Sequence, residues 1–383
     1  MSENYQHAFA AAFKDISSAL VERDEEVRLS LIAALSGESV LLVGPPGVAK
    51  SLLAESVGAF IDGRVFSYVL NKFSKPNELF GALNIKELEE GRHVRLIADT
   101  LLDAHVAFLD EIWKGSSAIL NTLLKILNER KYLNGTRWYD APLRFFMAAS
   151  NEWPDAENGG RELGALFDRC LIRKTVRPVV TPESDKILLW GRGARCDKNL
   201  LTRSDDHKPV LSKKLSVKQL DQAREEVRKL PFTAKAVTGF EKIIQELKSA
   251  GIHPSDRRKV KSPGVAQASA YLAGSDRVEL EHLDVLAHVL WDDPAEQPEA
   301  AAKIVMRIAC PDAVEAVKFI GECDSIRSSV NIRDRVNIAT ALDKTYDVKK
   351  RISALKDGVR KNQALARVED LRSFLCEAMR RED

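Results

Sequence analysis

The residues with the clearest chemical potential form the run Gly44-Pro-Pro-Gly-Val-Ala-Lys50-Ser51, which lies between a short apolar segment and a helical one. Small residues at such a junction let backbone N–H groups converge on a phosphate, and the helix N-terminus adds partial positive charge. Lys50 would neutralise β- and γ-phosphate oxygens, and the Ser51 hydroxyl would bind Mg²⁺. The run therefore predicts a loop that binds the phosphates of ATP.

This loop departs at one position from the pattern G-x-x-x-x-G-K-[ST], because Ala49 stands where the last glycine belongs. Alanine is the smallest replacement and costs little if φ is negative there, so we expect the loop to be intact. The residues assigned to nucleotide contacts are Gly44, Pro45, Pro46, Gly47, Val48, Ala49, Lys50, Ser51 and Leu52.

A pair of carboxylates follows a second apolar segment. Val106–Leu109 reads as a strand, and Asp110 and Glu111 come directly after it. Ligands of α/β sheets bind at the carboxyl ends of the strands. We expect Asp110 to hold hydrated Mg²⁺ together with Ser51, and Glu111 to polarise the water that attacks the γ-phosphate.

A third strand-like segment, 143–149, is followed by Ser150 and Asn151. An Asn after a strand is by itself more often a turn residue. Its place in the series favours a positioning role between the γ-phosphate and the attacking water. With Lys50 and Glu111, Asn151 completes the catalytic set that the residues alone predict.

The elements that position these residues alternate along the first half of the chain. Strand candidates occur at 39–43, 65–70, 106–109, 143–149 and 171–176, separated by helical or turn-rich segments. This order is typical of a parallel sheet covered by helices on both faces. Before the first strand, residues 15–35 have apolar positions at helical spacing and predict one helix that ends at Gly37.

From about residue 181 the strand signals stop and helical periodicity takes over. Helices are predicted at 182–190, 216–229, 233–250, 256–273 and 279–290, and the stretch 191–214 reads as an exposed loop. Beyond a break rich in Asp and Pro, apolar residues at spacing of three or four predict a helical hairpin or bundle. We expect an α/β nucleotide-binding domain (1–178), a helical domain (179–290) and a C-terminal helical region (291–383).

Composition excludes several other classes. The 383 residues are 45% hydrophobic, which is too apolar for a disordered chain, and 58 Lys and Arg against 56 Asp and Glu give a net charge of +2. No global field marks a binder of nucleic acid or membrane surfaces. The five cysteines are odd in number and lack C-x-x-C spacing, which argues against disulfides and zinc. Without a leader or a long apolar run, we expect a cytoplasmic protein with no membrane insertion.

The quoted motifs resemble those of the AAA+ ATPases and, within them, the MoxR family, whose phosphate loop GPPGVAKS has Ala at the position of Ala49. The segments 108–114, 118–124 and 148–152 resemble its RavA-like branch. The resemblance implies a P-loop AAA+ parallel-sheet core with an all-helical lid. It also implies Mg²⁺-dependent ATP hydrolysis in a homo-oligomeric ring, usually hexameric, with an ATP site at each subunit boundary.

The same resemblance points to arginines. The stretch 166–173 resembles the family segment that offers an arginine to the γ-phosphate of the neighbouring subunit, with Arg169 the better candidate and Arg173 the second. Ser255-Asp-Arg257-Arg258 resembles the segment that carries the lid arginine, for which Arg257 is preferred to Arg258. A plain solvated basic face is the competing interpretation of this second segment.

Two insertions of the family face the pore of the ring. The segment 84–98 resembles one of them, and 131–142 contains Asn134-Gly135, a strong hairpin turn signal. In that second hairpin, Tyr132, Arg137 and Trp138 would be available to grip a client.

Three functions compete at this point. The leading hypothesis is an ATPase that remodels a protein client, with a partner that bears a von Willebrand factor A domain, as the resemblance implies. The alternative is a nucleic-acid motor, although segment 84–98 is close to neutral rather than basic. The third is a nucleotide-switched scaffold without turnover, against which Glu111 and Asn151 argue.

Overall fold

The computed structural model describes residues 5–154, 160–191, 195–197, 200–202, 209–331, 334–356 and 359–380. The helices are α1 (Tyr5–Ala19), α2 (Asp24–Ser36), α3 (Lys50–Phe60), α4 (Pro76–Phe80), α5 (Ile85–Glu89), α6 (Ser117–Glu129), α7 (Gly160–Arg169), α8 (Pro182–Trp190), α9 (Val217–Arg228), α10 (Ala234–Ser249), α11 (Asp256–Leu272), α12 (Gln297–Ala309), α13 (Pro311–Ser329), α14 (Arg335–Ser353) and α15 (Val359–Arg380). The 3-10 helices are Leu101–Asp103, Ile112–Lys114 and Leu280–His288.

The strands are β1 (Ser39–Val43), β2 (Ile61–Asp62), β3 (Val65–Val69), β4 (Val106–Asp110), β5 (Lys131–Asn134), β6 (Arg137–Asp140), β7 (Phe145–Ser150), β8 (Ile172–Thr175), β9 (Arg195–Asp197), β10 (Leu200–Thr202) and β11 (Leu215–Ser216). Five of them form a parallel sheet in the order β3-β4-β7-β1-β8. The three middle strands are almost continuously apolar and buried, as expected when both faces of a parallel sheet are covered.

This sheet confirms the predicted α/β class, and its order matters for chemistry. β4, β7 and β1 are neighbours, and all run in the same direction. Their carboxyl ends therefore bring the phosphate loop, the Asp110-Glu111 pair and Asn151 to one edge of the sheet.

The prediction of a single helix over residues 15–35 was wrong. α1 ends at Ala19 and α2 begins at Asp24, because Glu22 adopts a left-handed conformation (φ +53°) that no α-helix continues through. The predicted end of this region at Gly37 is confirmed, since that residue has φ +76° and its N–H donates to the carbonyl of Ala33.

The region after residue 181 is mainly helical, with three departures from expectation. The antiparallel pair β9–β10 falls within the stretch 191–214, of which residues 192–194, 198–199 and 203–208 lie outside the described residues. β11 pairs in parallel with β2, so a short strand links this region to the first domain. The helix expected at 279–290 is a 3-10 helix over Leu280–His288.

Two hydrophobic cores divide the described residues. Ala301 and Val305 of α12 belong to the larger core, which also contains the sheet and the 3-10 helix Leu280–His288. α13, α14 and α15 pack around a second core, which buries the stripe that includes Val348, Val368 and Leu371. In the part of the chain that the structure describes, no helix is long and apolar enough to cross a membrane.

Candidate functional site

The phosphate loop has a backbone that only small residues permit. A Cβ on Gly44 would stand 2.1 Å from the carbonyl oxygen of Val176, so that position requires glycine. Gly47 has φ +82° and an open space around it. α3 begins at Lys50, and Ala49 before it offers no side-chain cap to the first N–H groups of the helix. These donors are therefore available to an anion such as a phosphate.

Ala49 departs from expectation. The low cost expected for alanine depended on a negative φ at this position, but the residue is left-handed, with φ +65°. A Cβ in that conformation approaches the following carbonyl and costs about 1–2 kcal/mol. This cost gives a physical reason for the glycine of the general pattern, and the loop keeps its shape with alanine in place.

Lys50 and Asn151 begin a chain of contacts across the sheet edge. The Lys50 ammonium donates to the carbonyls of Gly44 and Pro45, the latter at 3.0 Å, and to Oδ1 of Asn151 at 2.9 Å. Burial lowers the pKa of Lys50, while the charges of Asp110 and Glu111 oppose that shift. The ammonium is therefore buried against neutral acceptors that phosphate oxygens could replace.

Glu111 continues this chain. Its Oε1 accepts a hydrogen bond from Nδ2 of Asn151, and its Oε2 lies 3.2 Å from the Lys114 ammonium. The residue has φ +53°, which is uncommon for a side chain of this size and is found where the surrounding structure imposes it. The structure thus brings Lys50, Asn151 and Glu111 together as the sequence predicted, and adds Lys114.

The predicted metal ligands lie at the same edge. Asp110 closes β4, is partly exposed, and accepts the N–H of Glu111 on Oδ1 at 2.8 Å. Ser51 is exposed in the first turn of α3. A carboxylate and a hydroxyl are oxygen donors of the kind that Mg²⁺ prefers, so this donor set fits the ion.

A cavity of about 510 Å³ lies between the start of α2, the end of β8, the 3-10 helix Leu280–His288 and α12, and its lining residue Arg23 contacts the phosphate loop. Arg23 lines it and is almost fully buried. Its guanidinium donates to the carbonyl of Val48 at 3.1 Å and to that of Arg177 at 2.8 Å, which fixes the loop against the cavity wall. This cavity is the candidate site for the nucleoside. Sequence reasoning missed Arg23, because its partners are distant in the chain and no local motif marks it.

The two candidates for the arginine offered to a neighbour differ in burial. Arg169 ends α7 and is half-buried; one nitrogen donates to the carbonyl of Ala165, and Nε has no hydrogen-bond partner among the described residues. Burial lowers the pKa of Arg169, and the nearby charge of Arg257 lowers it further. Arg173 is fully buried and stacks on Phe167, with the guanidinium carbon 3.7 Å from the ring centroid. Of the two, Arg169 is the partly exposed one, so it is better placed to reach another subunit.

The two candidates for the lid arginine divide in the same way. Arg258 is fully buried, donates to the carbonyls of Leu171 and Val289, and has its Nε 3.0 Å from Asp292. Arg257 is partly exposed and pairs with Asp168 at 2.7 Å. The interpretation of a solvated basic face is therefore wrong for Arg258, which ties α11 to the sheet.

An aromatic cluster joins the catalytic edge to the region after residue 181. It consists of Trp113, Trp153, Phe167 and Trp291, with ring centroids 5.7–6.3 Å apart between neighbours. Trp113 follows Glu111 by two residues, Trp153 follows Asn151 by two, and Phe167 precedes Arg169 by two. The three assigned residues are thus attached to one packed group.

The predicted hairpin at 131–142 is confirmed. β5 and β6 pair in antiparallel register, with Asn134 opposite Arg137, and Gly135 in the turn has φ +63°. Trp138 is half exposed, but Tyr132 is buried and stacks on Tyr139, so its expected availability to a client was wrong. The segment 84–98 contains the short helix α5 and is closed by a single bridge between Leu83 and Arg95.

These features define an α/β fold of the AAA+ type. They are a parallel sheet with a phosphate loop after β1, two carboxylates and an asparagine at the same edge, and a helical lid. A crystal structure of a Cytophaga hutchinsonii protein described as a candidate ATPase shares this fold, with a TM-score of 0.60 at 16% identity, covering 79% of this chain and 94% of that one. Residues 233–305 match the model of an AAA lid domain.

The family is shown by sequence. Residues 7–216, more than half of the chain, match the model of the MoxR domain in the MoxR-vWA-beta-propeller ternary systems. The chain belongs to the MoxR family of AAA+ ATPases.

Two uncharacterized proteins of Methanocaldococcus jannaschii are similar to it. One is 35% identical over 292 residues, or 76% of this chain and 73% of the relative; the other is 34% identical over 342 residues, or 84% of each chain. Chaperone MoxR1 of Mycobacterium tuberculosis is 27% identical over 190 residues, which cover 49% of this chain and 48% of the chaperone.

Proposed function

We propose that this protein is a Mg²⁺-dependent ATPase that assembles into a ring, six subunits being the expected number, and uses ATP hydrolysis to remodel a protein client. The contact chain Lys50–Asn151–Glu111 carries the proposal. It joins a phosphate ligand, a positioning amide and a carboxylate at the edge of the sheet where α/β proteins bind ligands.

The assigned residues have distinct roles in hydrolysis. Lys50 would exchange its carbonyl acceptors for oxygens of the β- and γ-phosphates, and the exposed N–H groups of α3 would bind the same phosphates. Asn151 would orient the attacking water, and Glu111 would take up its proton. Ser51 and Asp110 would hold Mg²⁺, which supplies neutralisation of phosphate charge.

A neighbouring subunit would complete the site with Arg169. Its partly exposed position at the end of α7 supports this role, because a guanidinium offered in trans stabilises charge that develops on the transferred phosphoryl group. Arg257, held by Asp168 beside Arg169, is proposed as the lid arginine. We retain the predicted domain limits at residues 178 and 290.

The client and partner proposals rest on relatives. A relative is named a chaperone, and the matching model describes MoxR domains in systems with von Willebrand factor A and β-propeller proteins. We therefore propose a partner with a von Willebrand factor A domain. A RavA-like relationship and a cytoplasmic location stay predictions.

The alternative of a nucleic-acid motor has less support. A pore that grips phosphates needs free cations. In the segment 84–98, Arg92 is paired with Glu87 and Glu90, and Arg95 donates to Asn77 and to the carbonyl of Gly81. Both arginines are therefore committed within the chain.

ATP hydrolysis measured as a function of protein concentration tests the proposal. We expect activity per subunit to rise with concentration, and Glu111→Gln to be about 10²–10⁴-fold less active. Added Glu111→Gln protein should also inhibit the wild type, because each ring then contains inactive sites. Glu55→Gln, on the exposed face of α3, is the matched control and should retain activity.

Two results would contradict the proposal. If activity per subunit does not change with protein concentration, the active site is not shared between subunits. If Glu111→Gln keeps an unchanged slow turnover, the protein is a nucleotide-switched scaffold. Stimulation by DNA that falls steeply with salt would instead favour the nucleic-acid motor.

A further inference from the structure

A groove of about 430 Å³ lies outside the nucleotide site, between α6, the hairpin β5–β6 and the short helix α4. On α6 its wall is formed by Ala118, Asn121, Thr122 and Lys125, which share one face at helical spacing. Three of these side chains are small or short, and this leaves space for another chain beside the helix.

The lining of the groove is cationic and aromatic. Lys125 and Lys131 line it together with Arg95, which is held by Asn77 and the carbonyl of Gly81, and none of the described residues that line it is Asp or Glu. Lys125 holds its ammonium 3.8 Å from the ring centroid of Trp138, whose side chain is half exposed. Phe80 contributes to the apolar part of the lining. The net charge of this surface favours an anionic occupant, and its rings favour one with an apolar or aromatic side chain.

We propose that this groove docks an extended acidic peptide segment of the client, with carboxylates at Lys125 and Lys131 and an apolar or aromatic side chain against Trp138. Charge complementarity identifies the class of partner. The hairpin lines one side of the groove and α6 another, so the segment would bind between the insertion and the ATPase core.

The groove is also close to the catalytic edge in the chain. α6 begins at Ser117, and only the 3-10 helix Ile112–Lys114 and two further residues separate it from Glu111. A segment that presses on α6 can therefore change the position of Glu111 and of its partner Lys114. The assignment of the bound segment to a client rests on the proposed function.

The test uses the full chain and a fluorescein-labelled random copolymer of glutamate and tyrosine as the probe. Binding is followed by fluorescence anisotropy without ATP, at low and high salt. We expect binding that weakens with salt, and at least a ten-fold rise in Kd for Lys125→Glu and for Trp138→Ala. Lys131→Glu is a second charge variant. Lys218→Glu and Trp190→Ala, which change exposed residues outside the groove, are the matched controls and should bind as the wild type does.

Several outcomes would overturn the proposal. One is that the copolymer does not bind, and another is that the groove variants and the controls bind it equally well. A third is that oligo-dT displaces the copolymer and depends on the same residues, which would assign the groove to single-stranded nucleic acid. Because anisotropy needs no hydrolysis, a chain that binds the copolymer but lacks ATPase activity refutes only the proposed function. A chain that hydrolyses ATP but does not bind the copolymer refutes only the groove.

Discussion

The catalytic edge of the sheet and the junction between sheet and lid use charged side chains in opposite ways. At the edge, Lys50, Asn151 and Glu111 bond to one another and can exchange those partners for a ligand. At the junction, Arg173 and Arg258 are fully buried and donate to backbone carbonyls. Residue type alone therefore does not separate side chains available for chemistry from those that hold the fold; what separates them is whether a ligand can replace their partners.

Two pairs of arginines make this difference measurable. In each pair one arginine is partly exposed, and the other, at most four residues away in the chain, is fully buried. Arg169 and Arg257 are partly exposed, and both lie beside Asp168. Their buried counterparts link β8 and α11 to the chain around Trp291 and Asp292. Substitutions within each pair should therefore separate effects on activity from effects on stability.

The largest expected effect is on activity. Arg169→Ala should lower ATP hydrolysis by at least about 10³-fold, because the neighbouring site loses the charge that stabilises its transition state. The free energy of unfolding of Arg169→Ala should be lower than that of the wild type by less than about 1 kcal/mol, since the Arg169 side chain makes one hydrogen bond to a carbonyl. Steady-state ATPase assays and urea unfolding on the same preparation measure both quantities.

Arg173→Met is the paired control for that experiment. It should lower the free energy of unfolding by about 1–3 kcal/mol, because the carbonyl of Trp291 loses the Arg173 donor and that of Cys170 keeps only Arg258. Activity measured well below the unfolding temperature should stay within a few-fold of the wild type. If Arg173→Met is inactive and stable while Arg169→Ala is active, the assignment of the two arginines is reversed.

The second prediction concerns stability at the junction. Arg258→Met should lower the free energy of unfolding by about 3–5 kcal/mol, since several buried carbonyls lose their donor at about 1–3 kcal/mol each. Asp292, which is partly exposed, keeps Arg173 at 3.6 Å. Arg257→Met removes a pair that is partly exposed on both sides and should cost less than about 1 kcal/mol. Urea midpoints followed by Trp fluorescence report both, because Trp291 lies beside Asp292 at the junction. Equal losses for the two variants would contradict the comparison.

The difference between the catalytic edge and the junction also explains which residues could be predicted from the sequence. The phosphate loop, the Asp110-Glu111 pair and Asn151 each follow a strand, and strand ends can be read from local patterns of apolar and polar residues. Arg23, Asp168 and Asp292 carry no local signal, because their partners are distant in the chain. The turn at Glu22 was missed for a related reason: apolar spacing continues across it, and the residues that hold it lie near position 181.

A smaller effect is expected at Lys114, which faces Glu111. The ammonium is 43% exposed, so the ion pair should be worth at most about 1 kcal/mol. Lys114→Met frees Glu111 from one of its two partners, and we expect turnover to rise by up to about five-fold with KM for ATP unchanged. Lys218→Met, an exposed lysine outside both the catalytic edge and the groove, controls for the loss of a lysine. A fall in turnover for Lys114→Met would show instead that the ammonium positions Glu111 for catalysis.

The smallest expected effect is a dependence of stability on pH at the start of α8. Hydrogen bonds from Ser184, from Thr181 and from the N–H groups of Val180 and Thr181 lower the pKa of Glu22 from an ordinary 4.5 to about 2. The folded state thus binds this proton less tightly than the unfolded state, so the carboxylate stabilises the fold above about pH 4.5 and loses that contribution as the pH falls towards 2. Glu22→Gln should have a lower urea midpoint than the wild type at pH 7, and the difference should close on acidification. Because the carboxylate is in solvent, the shift should be modest and should survive in Thr181→Ser, which keeps the hydroxyl donor. A difference that persists unchanged at pH 3 would show that Glu22 holds the turn before α2 by packing, not by charge.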